Sequence, residues 1–165
     1  MQETLSPRAV RAGGGLTLIC RSRKGQLPRF RQFALRVQNE LKKLGLKDAD
    51  FDVTLTDDSG IARLNREFRG KDTPTDVLSF PWRNGGEVPE FEGGDEMAGF
   101  LGDIVISVET ARCNAAAERH SLETEIRQLI LHGALHLAGY DHAVDQGEMN
   151  EVELLLRRVL GIEGL

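Results

Sequence analysis

The sequence predicts an α+β fold, in which a small mixed sheet of about four strands is surrounded by helices. Short segments with apolar residues at every second position indicate strands, and longer segments with apolar residues every three or four positions indicate helices. The two kinds of segment do not alternate regularly enough for a doubly wound sheet. With 165 residues, of which 40% are hydrophobic, the chain has the size and composition of one globular domain.

The N-terminal third of the chain predicts a leader followed by the first strands and the first helix. Residues 1–14 lack periodicity and end in glycines, which is typical of a flexible leader, and a single domain is expected over residues 15–165. A short apolar run over Leu16–Cys20 indicates the first strand. Helical spacing then predicts an amphipathic helix over residues 29–44, and residues 51–55 alternate in polarity as in a half-buried strand.

Two further strands are predicted in the middle of the chain, separated by a long loop. Asp57 can cap a short helix that ends before a polar loop over residues 69–76, and Val77–Phe80 indicates the third strand. The segment 83–100 is rich in Gly, Glu and Asp, which is typical of a long mobile loop. Leu101–Ser107 then indicates the fourth strand.

Three helices are predicted to complete the domain. The first covers Val108–Arg119, and Ser121 can cap a second helix that becomes apolar on all sides, which predicts a buried central helix. Asp145 and Glu148 have capping-box spacing and predict the start of the last helix. His120 is expected at the surface. The residues expected to face inward from the last helix are Met149, Val152, Leu155, Leu156 and Val159.

Composition argues against a membrane protein and indicates a reducing, cytoplasmic compartment. No apolar run approaches the roughly 20 residues that a membrane-spanning helix needs, and the N-terminal residues lack a secretory signal. Cys20 and Cys113 stand far apart, which does not suggest a disulfide framework. The net charge is −5, but residues 1–43 hold ten Lys or Arg and two acidic residues. This basic segment either guides a polyanion or is an ordinary solvated surface.

The segment Leu129–Gly139 contains two histidines and no Asp, Glu, Lys or Arg. His132 and His136 stand four residues apart, so a helix places them on one face with their Cβ atoms roughly 5–6 Å apart. Gly139 can take the left-handed conformation that ends a helix and lets the chain return with His142. Three histidines without a fourth protein ligand are typical of a catalytic zinc site with an open position. The alternative is a structural histidine pair on a buried helix.

The residues around the histidines decide which chemistry is expected. The spacing is that of zinc peptidases with the motif H-E-x-x-H-x-x-G-x-x-H, but Gly133 occupies the position of the Glu that serves as general base. A phosphodiester substrate needs cations near its developing charge, and Arg69 and Lys71 lie in a glycine-bearing loop. The alternative is that Arg69 is a surface residue paired with Asp72 or Asp76.

Three motifs carry a family resemblance. His132–His142 reads H-G-A-L-H-L-A-G-Y-D-H, Leu64–Pro81 contains the run F-R-G-K-D-T-P-T-D-V-L-S-F-P, and Leu101–Ser107 reads L-G-D-I-V-I-S. In this order they resemble the signatures of the YbeY family of bacterial ribosomal RNA maturation factors. The resemblance covers roughly residues 15–160, and it is specific because two long motifs agree.

The resemblance implies an α+β fold with a metzincin-like metal-binding helix, and a metal-dependent endoribonuclease that is specific for single strands. The implied process is rRNA maturation, notably at the 3′ end of the small-subunit RNA, together with ribosome quality control. One zinc ion per chain is implied on His132, His136 and His142, and Arg69 is implied to be functional. The implied partners are single-stranded RNA, ribosomal RNA and the small ribosomal subunit, and neither a membrane nor DNA is expected.

The resulting hypothesis is an RNA phosphodiesterase in which the metal and Arg69 act together. Asp141 and Asp103 are candidates for hydrogen bonds that orient the metal-bound imidazoles, although both can also be structural residues. The residues expected to hold the RNA are Arg21, Arg23, Lys24, Arg29, Arg36 and Lys71. Two alternatives stand beside this hypothesis: a metallopeptidase-like hydrolase, and a non-catalytic ribosome assembly factor with a structural zinc ion.

Overall fold

The computed structural model describes residues 18–20, 28–46, 49–82 and 100–163. In chain order, the elements within these ranges are β1 (Leu18–Cys20), α1 (Pro28–Lys43), β2 (Asp50–Thr56), α2 (Asp58–Arg69), β3 (Val77–Pro81), β4 (Phe100–Ser107), α3 (Val108–Glu118), α4 (Leu122–Leu137) and α5 (Glu148–Leu160). The predicted leader 1–14 and nearly all of the predicted mobile loop lie outside the described residues. Both stay predictions, as does the domain boundary at residue 15.

The sheet is mixed and has the strand order β1-β2-β4-β3. Strands β2 and β4 are parallel, whereas the β1–β2 and β3–β4 pairs are antiparallel. Three strands of five to eight residues form its body, and the three-residue β1 extends it at one edge. The predicted α+β class with a small mixed sheet and surrounding helices is confirmed.

Helices cover both faces of the sheet, as the alternation along β4 shows. Ile104 and Ile106 belong to the larger core, which the side chains of α1, α4 and α5 complete. Val105, between them, faces the other way and packs with Ile61 of α2 and Leu78 of β3. The candidate site therefore lies on a scaffold whose central strand is buried on both sides.

Helix α4 is central to the larger core, where it contacts β3, β4, α1, α3 and α5. Ser121 caps its start, since the Ser121 Oγ accepts a hydrogen bond from the Thr124 N–H at 3.0 Å. Ile130 and Leu131 are both fully buried although they project in different directions around the helix. The prediction of a buried central helix is confirmed. Among the described helices, none is both long and apolar enough to cross a bilayer.

Helix α2 ends at Arg69, the residue that the sequence analysis predicted to stabilise the charge of a phosphate. Asp57 caps its start by accepting a hydrogen bond from the Gly60 N–H at 2.8 Å, and this bond lowers the pKa of Asp57. Gly70 adopts a φ of 67°, and its N–H donates to the Arg66 carbonyl oxygen at 3.1 Å. Because Gly70 takes this left-handed conformation, the helix stops directly after Arg69.

The start of α5 differs from the predicted capping box. The helix begins at Glu148, and Gly147 is the N-cap residue, without a side-chain cap. Asp145 precedes the cap, and its carboxylate accepts hydrogen bonds from the N–H groups of Gly147 and Met149 at 2.8 and 2.9 Å. Asp145 therefore still satisfies a free N–H of the first turn, but from a position two residues earlier than the N-cap.

The inward face of α5 also differs from the prediction. Leu155 and Val159 are 54% and 51% exposed, so their predicted burial is wrong. The buried residues of the helix are Met149, Glu153, Leu156 and Leu160. The buried face of α5 includes Glu153, and a prediction based on the spacing of apolar residues could not identify this charged residue as buried.

The predicted surface position of His120 is wrong. The chain turns at Arg119, which has a φ of 58°, and the His120 N–H donates to the Ala115 carbonyl oxygen at 3.1 Å. The side chain is only 8% exposed, and its Nε2 lies 3.1 Å from the Oε2 of Glu125, a side chain that is 9% exposed. A polar pair is therefore buried beside the first turn of α4.

Candidate metal centre

Three histidines converge at the C-terminal end of α4. His132 and His136 lie one turn apart, and Gly139 follows the helix with a φ of 100°, a conformation that favours glycine. The chain returns at once, so that the His142 and His132 rings stack with their centroids 5.4 Å apart. One nitrogen from each of the three rings lies within 4.8 Å of the others. The structure thus brings the three predicted ligands together.

Hydrogen bonds fix the proton positions on two of the rings. The Nδ1 of His136 lies 3.0 Å from the Tyr140 carbonyl oxygen, and the Nδ1 of His132 lies 3.0 Å from the Oε2 of Glu153. A carbonyl and a carboxylate can only accept, so each Nδ1 carries a hydrogen and donates it. In the neutral imidazoles, each Nε2 is therefore left with a lone pair.

The donor set fits a metal ion, because the two Nε2 atoms of His132 and His136 face each other at 3.1 Å. Two lone pairs at this distance repel unless a proton or a metal ion lies between them. Tetrahedral zinc with Zn–N bonds of about 2.0–2.1 Å separates two ligand nitrogens by about 3.3 Å, close to the observed distance. The third histidine supplies a further nitrogen from an exposed position.

The environment of His136 keeps its ring in the form that binds metals. Burial and the neighbouring His132 lower the pKa of His136 below its ordinary value, against the smaller opposing effect of the Tyr140 carbonyl. The imidazole is therefore neutral at physiological pH. Because a protonated ring cannot coordinate, this shift favours metal binding.

Glu153 is a site residue that the sequence analysis missed. It lies on the inward face of α5, 5% exposed, and binds the Nδ1 of His132. Its other oxygen accepts from the Nη2 of Arg157 at 2.6 Å. Burial raises the pKa of Glu153, but the hydrogen bonds from His132 and Arg157 outweigh burial and lower it. The one available signal was a glutamate at helical spacing between Met149 and Leu156.

A cleft of about 650 Å³ joins the histidines to the end of α2. Its lining includes His132 and His136 of α4, Arg69 at the end of α2, and Lys71 in the loop that follows. Asp141 is the carboxylate that lines the same cleft. Two cationic side chains therefore face the space next to the candidate metal ligands.

Arg69 has neither of the carboxylate partners that were considered for it. Asp72 pairs with Arg66 at 3.4 Å, and Asp76 accepts a hydrogen bond from the Nδ2 of Asn114 at 3.1 Å. Within the described residues Arg69 forms no ion pair, and it is exposed. Its guanidinium is available to a ligand in the cleft.

Asp141 and Asp103, the two predicted orienting residues, do not supply the hydrogen bonds to the Nδ1 atoms of His132 and His136. Asp141 is exposed, and its Oδ1 accepts from the Ala143 N–H at 2.9 Å, as in a turn. Asp103 is 3% exposed in β4, where it lies in register with Phe80 of β3. The orienting acceptors are instead a carboxylate from α5 and a backbone carbonyl after α4.

Two of the predicted RNA-binding residues, Arg29 and Arg36, do not lie beside the histidines, whereas Lys71 lines their cleft. Arg29 pairs at 2.9 Å with Glu123, which precedes His136 by 13 residues, or about 20 Å along α4. Arg36 donates to the Leu160 carbonyl oxygen, at the end of α5, at 3.2 Å. The predicted residues Arg21, Arg23 and Lys24 lie outside the described part of the chain.

Gly133 stands where zinc peptidases carry their glutamate, and packing explains its size. A Cβ atom here would lie 2.8 Å from the Cγ2 of Ile104 and 3.1 Å from the Oγ of Ser79. The Ser79 Oγ donates to the Gly133 carbonyl oxygen at 3.1 Å, which ties α4 closely to β3. The contact leaves no room for a side chain, so this position cannot supply a carboxylate base.

The fold and the cleft together define an α+β protein with a candidate three-histidine metal centre beside cationic side chains, an arrangement typical of metal-dependent hydrolases. The family model described as "Endoribonuclease YbeY" matches residues 20–160. The chain belongs to this family, as its motifs predicted.

Individual relatives agree with the family match. The protein named "Endoribonuclease YbeY" of Nautilia profundicola is 45% identical over 122 residues, which are 74% of this chain and 79% of that protein. Its namesake of Solibacter usitatus is 43% identical over 135 residues, 82% of this chain and 80% of that one. A solution structure of a Thermotoga maritima protein is 30% identical, with a TM-score of 0.54 and coverage of 84% and 86% of the two chains.

Proposed function

We propose that this chain is a metal-dependent endoribonuclease that cuts single-stranded RNA, with zinc on His132, His136 and His142. The substrate is ribosomal RNA at the 3′ end of the small-subunit RNA, in the cytoplasm, and one domain from residue 15 onward carries the activity. Membership of the family described as "Endoribonuclease YbeY" supports the RNA substrate and the reaction. The mutual geometry of the three rings supports the metal.

The observation that carries the proposal is that Arg69 shares a cleft with His132 and His136 and has no carboxylate partner within the described residues. A guanidinium donates two parallel hydrogen bonds to a phosphate and stays charged at every physiological pH. Lys71 adds a second positive charge to the same wall. This combination suits a phosphodiester, whose charge grows during cleavage, better than a neutral peptide bond.

The residues of the chain have separate tasks in this proposal. A divalent cation bound here supplies polarisation of a phosphoryl oxygen and a lowered pKa for water. Glu153 and the Tyr140 carbonyl hold the Nδ1 hydrogens, so that both Nε2 lone pairs point to one place. Arg69 binds and orients the phosphate and stabilises its negative charge.

Two observations disfavour the alternatives. A peptidase of the matching motif needs a carboxylate at the position of Gly133, where packing against Ile104 excludes one. A structural zinc site is closed, whereas His142 is exposed and a cleft of about 650 Å³ opens at the other two histidines.

The experiment that tests the proposal is cleavage of a 3′-extended small-subunit rRNA fragment by metal-loaded wild type and by His136→Ala, purified side by side. Bound metal is counted in both proteins. We expect wild type to bind about one ion per chain and to cut the RNA, and the variant to lose both.

Equal cutting by the two proteins would assign the activity to a contaminant and would overturn the proposal. Metal binding without any cutting by wild type would instead favour the assembly-factor alternative. A cobalt-substituted protein whose visible spectrum shifts with added phosphate would show that the ion is open to ligands, as the proposal requires.

A further inference from the structure

A second cavity meets the candidate metal centre at His132. It has a volume of about 690 Å³, within the range of about 300–1,000 Å³ that ligand sites occupy. His132 and Val77 line both this cavity and the cleft with Arg69. If a single-stranded RNA places a phosphate in the cleft, a cavity large enough for a neighbouring group of the same RNA therefore lies next to that phosphate.

The walls of this second cavity are polar and held in place by side-chain hydrogen bonds. His120 and Glu125, both about nine-tenths buried, are joined at 3.1 Å, and the His120 Nδ1 lies 3.2 Å from the Ser121 carbonyl oxygen. Asn114 and Asp76 also line the cavity, and the Asn114 Nδ2 donates to the Asp76 carboxylate at 3.1 Å. The Oδ1 of Asn114 accepts no hydrogen bond from a described residue. These walls are thus held in place by hydrogen bonds, and the carboxylate of Glu118 accepts none from a described residue.

The charges of the cavity exclude a phosphate and favour an uncharged ligand that donates hydrogen bonds. Asp76, Glu118 and Glu125 line it, and its one arginine, Arg157, is already paired with Glu153 at 2.6 Å. These carboxylates do not form a second metal site. Among the described residues, the group of His, Cys, Asp or Glu side chains whose ligand atoms lie close enough together to bind one ion is the histidine cluster.

We propose that this cavity binds the base of a nucleotide adjacent to the scissile phosphate and prefers guanine to uracil. The inference rests on the proposed ribonuclease function. Guanine presents two neighbouring donors on its pairing edge, which carboxylates accept, and an oxygen that an amide N–H can bind, whereas uracil offers one donor between two acceptors. The planar groups of His120 and Arg157 are of the kind on which unpaired bases stack.

The position of the cavity agrees with this role. Glu125, Gln128 and His132 succeed one another along one face of α4, and all three line the cavity. Glu125 precedes His132 by seven residues, or about 10 Å along the helix. A base bound between them lies next to the metal centre and outside the phosphate cleft.

The test compares the binding of two short single-stranded RNAs to metal-loaded protein, one of uridines alone and one with a single central guanosine. The variant is Glu118→Gln, which removes a charge from an exposed residue of the cavity at constant size. The control is Glu151→Gln, an exposed residue of α5 that lines neither cavity. Cleavage of both RNAs is recorded in parallel.

Wild type is expected to bind the guanosine-containing RNA about tenfold more tightly, the ratio that a bidentate base contact gives. The ratio should fall toward one in Glu118→Gln and stay unchanged in Glu151→Gln. Equal affinities of wild type for both RNAs, or a preference that survives in Glu118→Gln, would overturn the inference. Cleavage separates the two proposals: RNA that is cut without a guanosine preference contradicts only the base pocket, whereas a preference without any cutting contradicts only the ribonuclease.

Discussion

The two cavities that meet at His132 differ in charge although they share a wall. The cleft toward α2 carries Arg69 and Lys71 against one carboxylate, Asp141. The cavity toward α3 carries three carboxylates and one arginine that is already paired. A chain of phosphates and bases has the same division, because its charge lies on the phosphates and its hydrogen-bond donors lie on the bases. The candidate metal centre is therefore bordered by one cationic and one acidic surface, a division that matches the one in the proposed RNA substrate.

The largest effect is expected from removing the Arg69 guanidinium of the cationic cleft, and it should appear in the rate of RNA cleavage. We expect Arg69→Ala to slow single-turnover RNA cleavage about 100-fold, the effect of losing one donor to a developing charge. Metal content should not change, since Arg69 does not contact the histidines in any described hydrogen bond. Rapid-quench cleavage of the rRNA fragment measures the rate.

The matched control for this change is Arg66→Ala. Arg66 lies on the same helix one turn earlier, is exposed, and pairs with Asp72 outside the cleft. It should retain nearly the wild-type rate. A similar loss in both variants would mean that general positive charge, rather than the position of Arg69, accounts for the effect.

Changing Glu153, the carboxylate that binds the Nδ1 of His132, should lower the affinity for the metal rather than the affinity for RNA. Glu153→Gln keeps a hydrogen-bond acceptor for His132 but removes the charge that polarises the ring, and we expect metal affinity to fall about tenfold. Competition with a chromophoric chelator measures the dissociation constant. Glu151→Gln, two residues away and exposed, should bind metal as wild type does; unchanged affinity in Glu153→Gln would remove this residue from the metal site.

Adding a single methyl group at Gly133 should test how tightly α4, which carries the first two histidines, packs against the sheet. Gly133→Ala gains helix propensity, but its Cβ must displace Ile104 from 2.8 Å, and overpacking of this kind costs about 1–3 kcal/mol. We expect a net loss of about 1 kcal/mol in the free energy of unfolding, measured by urea denaturation. A stabilised variant would show that the helix moves freely away from β3 and β4.

The smallest expected effect is on the pH dependence of the metal-free protein. Burial and His132 lower the pKa of His136 in the folded state, so the unfolded chain binds more protons once the pH falls below about 6.5. Stability is therefore expected to decrease modestly between about pH 7 and 5.5. Glu153, whose pKa is also lowered, loses its contribution only at more acidic pH. Urea denaturation at both pH values should show a smaller decrease in His136→Ala than in wild type.

The sequence by itself predicted much of the local structure, because local structure depends on neighbours within one segment. The predicted bounds of α1, β2, β3, β4 and α3 agree with the structure to within about two residues, as is usual for element ends, and α4 starts directly after its predicted cap Ser121. The three histidines and the turn at Gly139 also follow from spacing along one helix and the loop after it. The resemblance of the motifs added the family and the importance of Arg69.

The tertiary structure decided which residues from different elements meet. Glu153 binds His132 although the two residues are 21 positions apart in the sequence, and Asp72 forms its ion pair with Arg66 rather than with Arg69. His120 is buried against Glu125, although its sequence neighbours gave no sign of it. The physical reason is that periodicity reports which side of an element is apolar, whereas a buried polar contact depends on the relative placement of two elements, which packing alone determines.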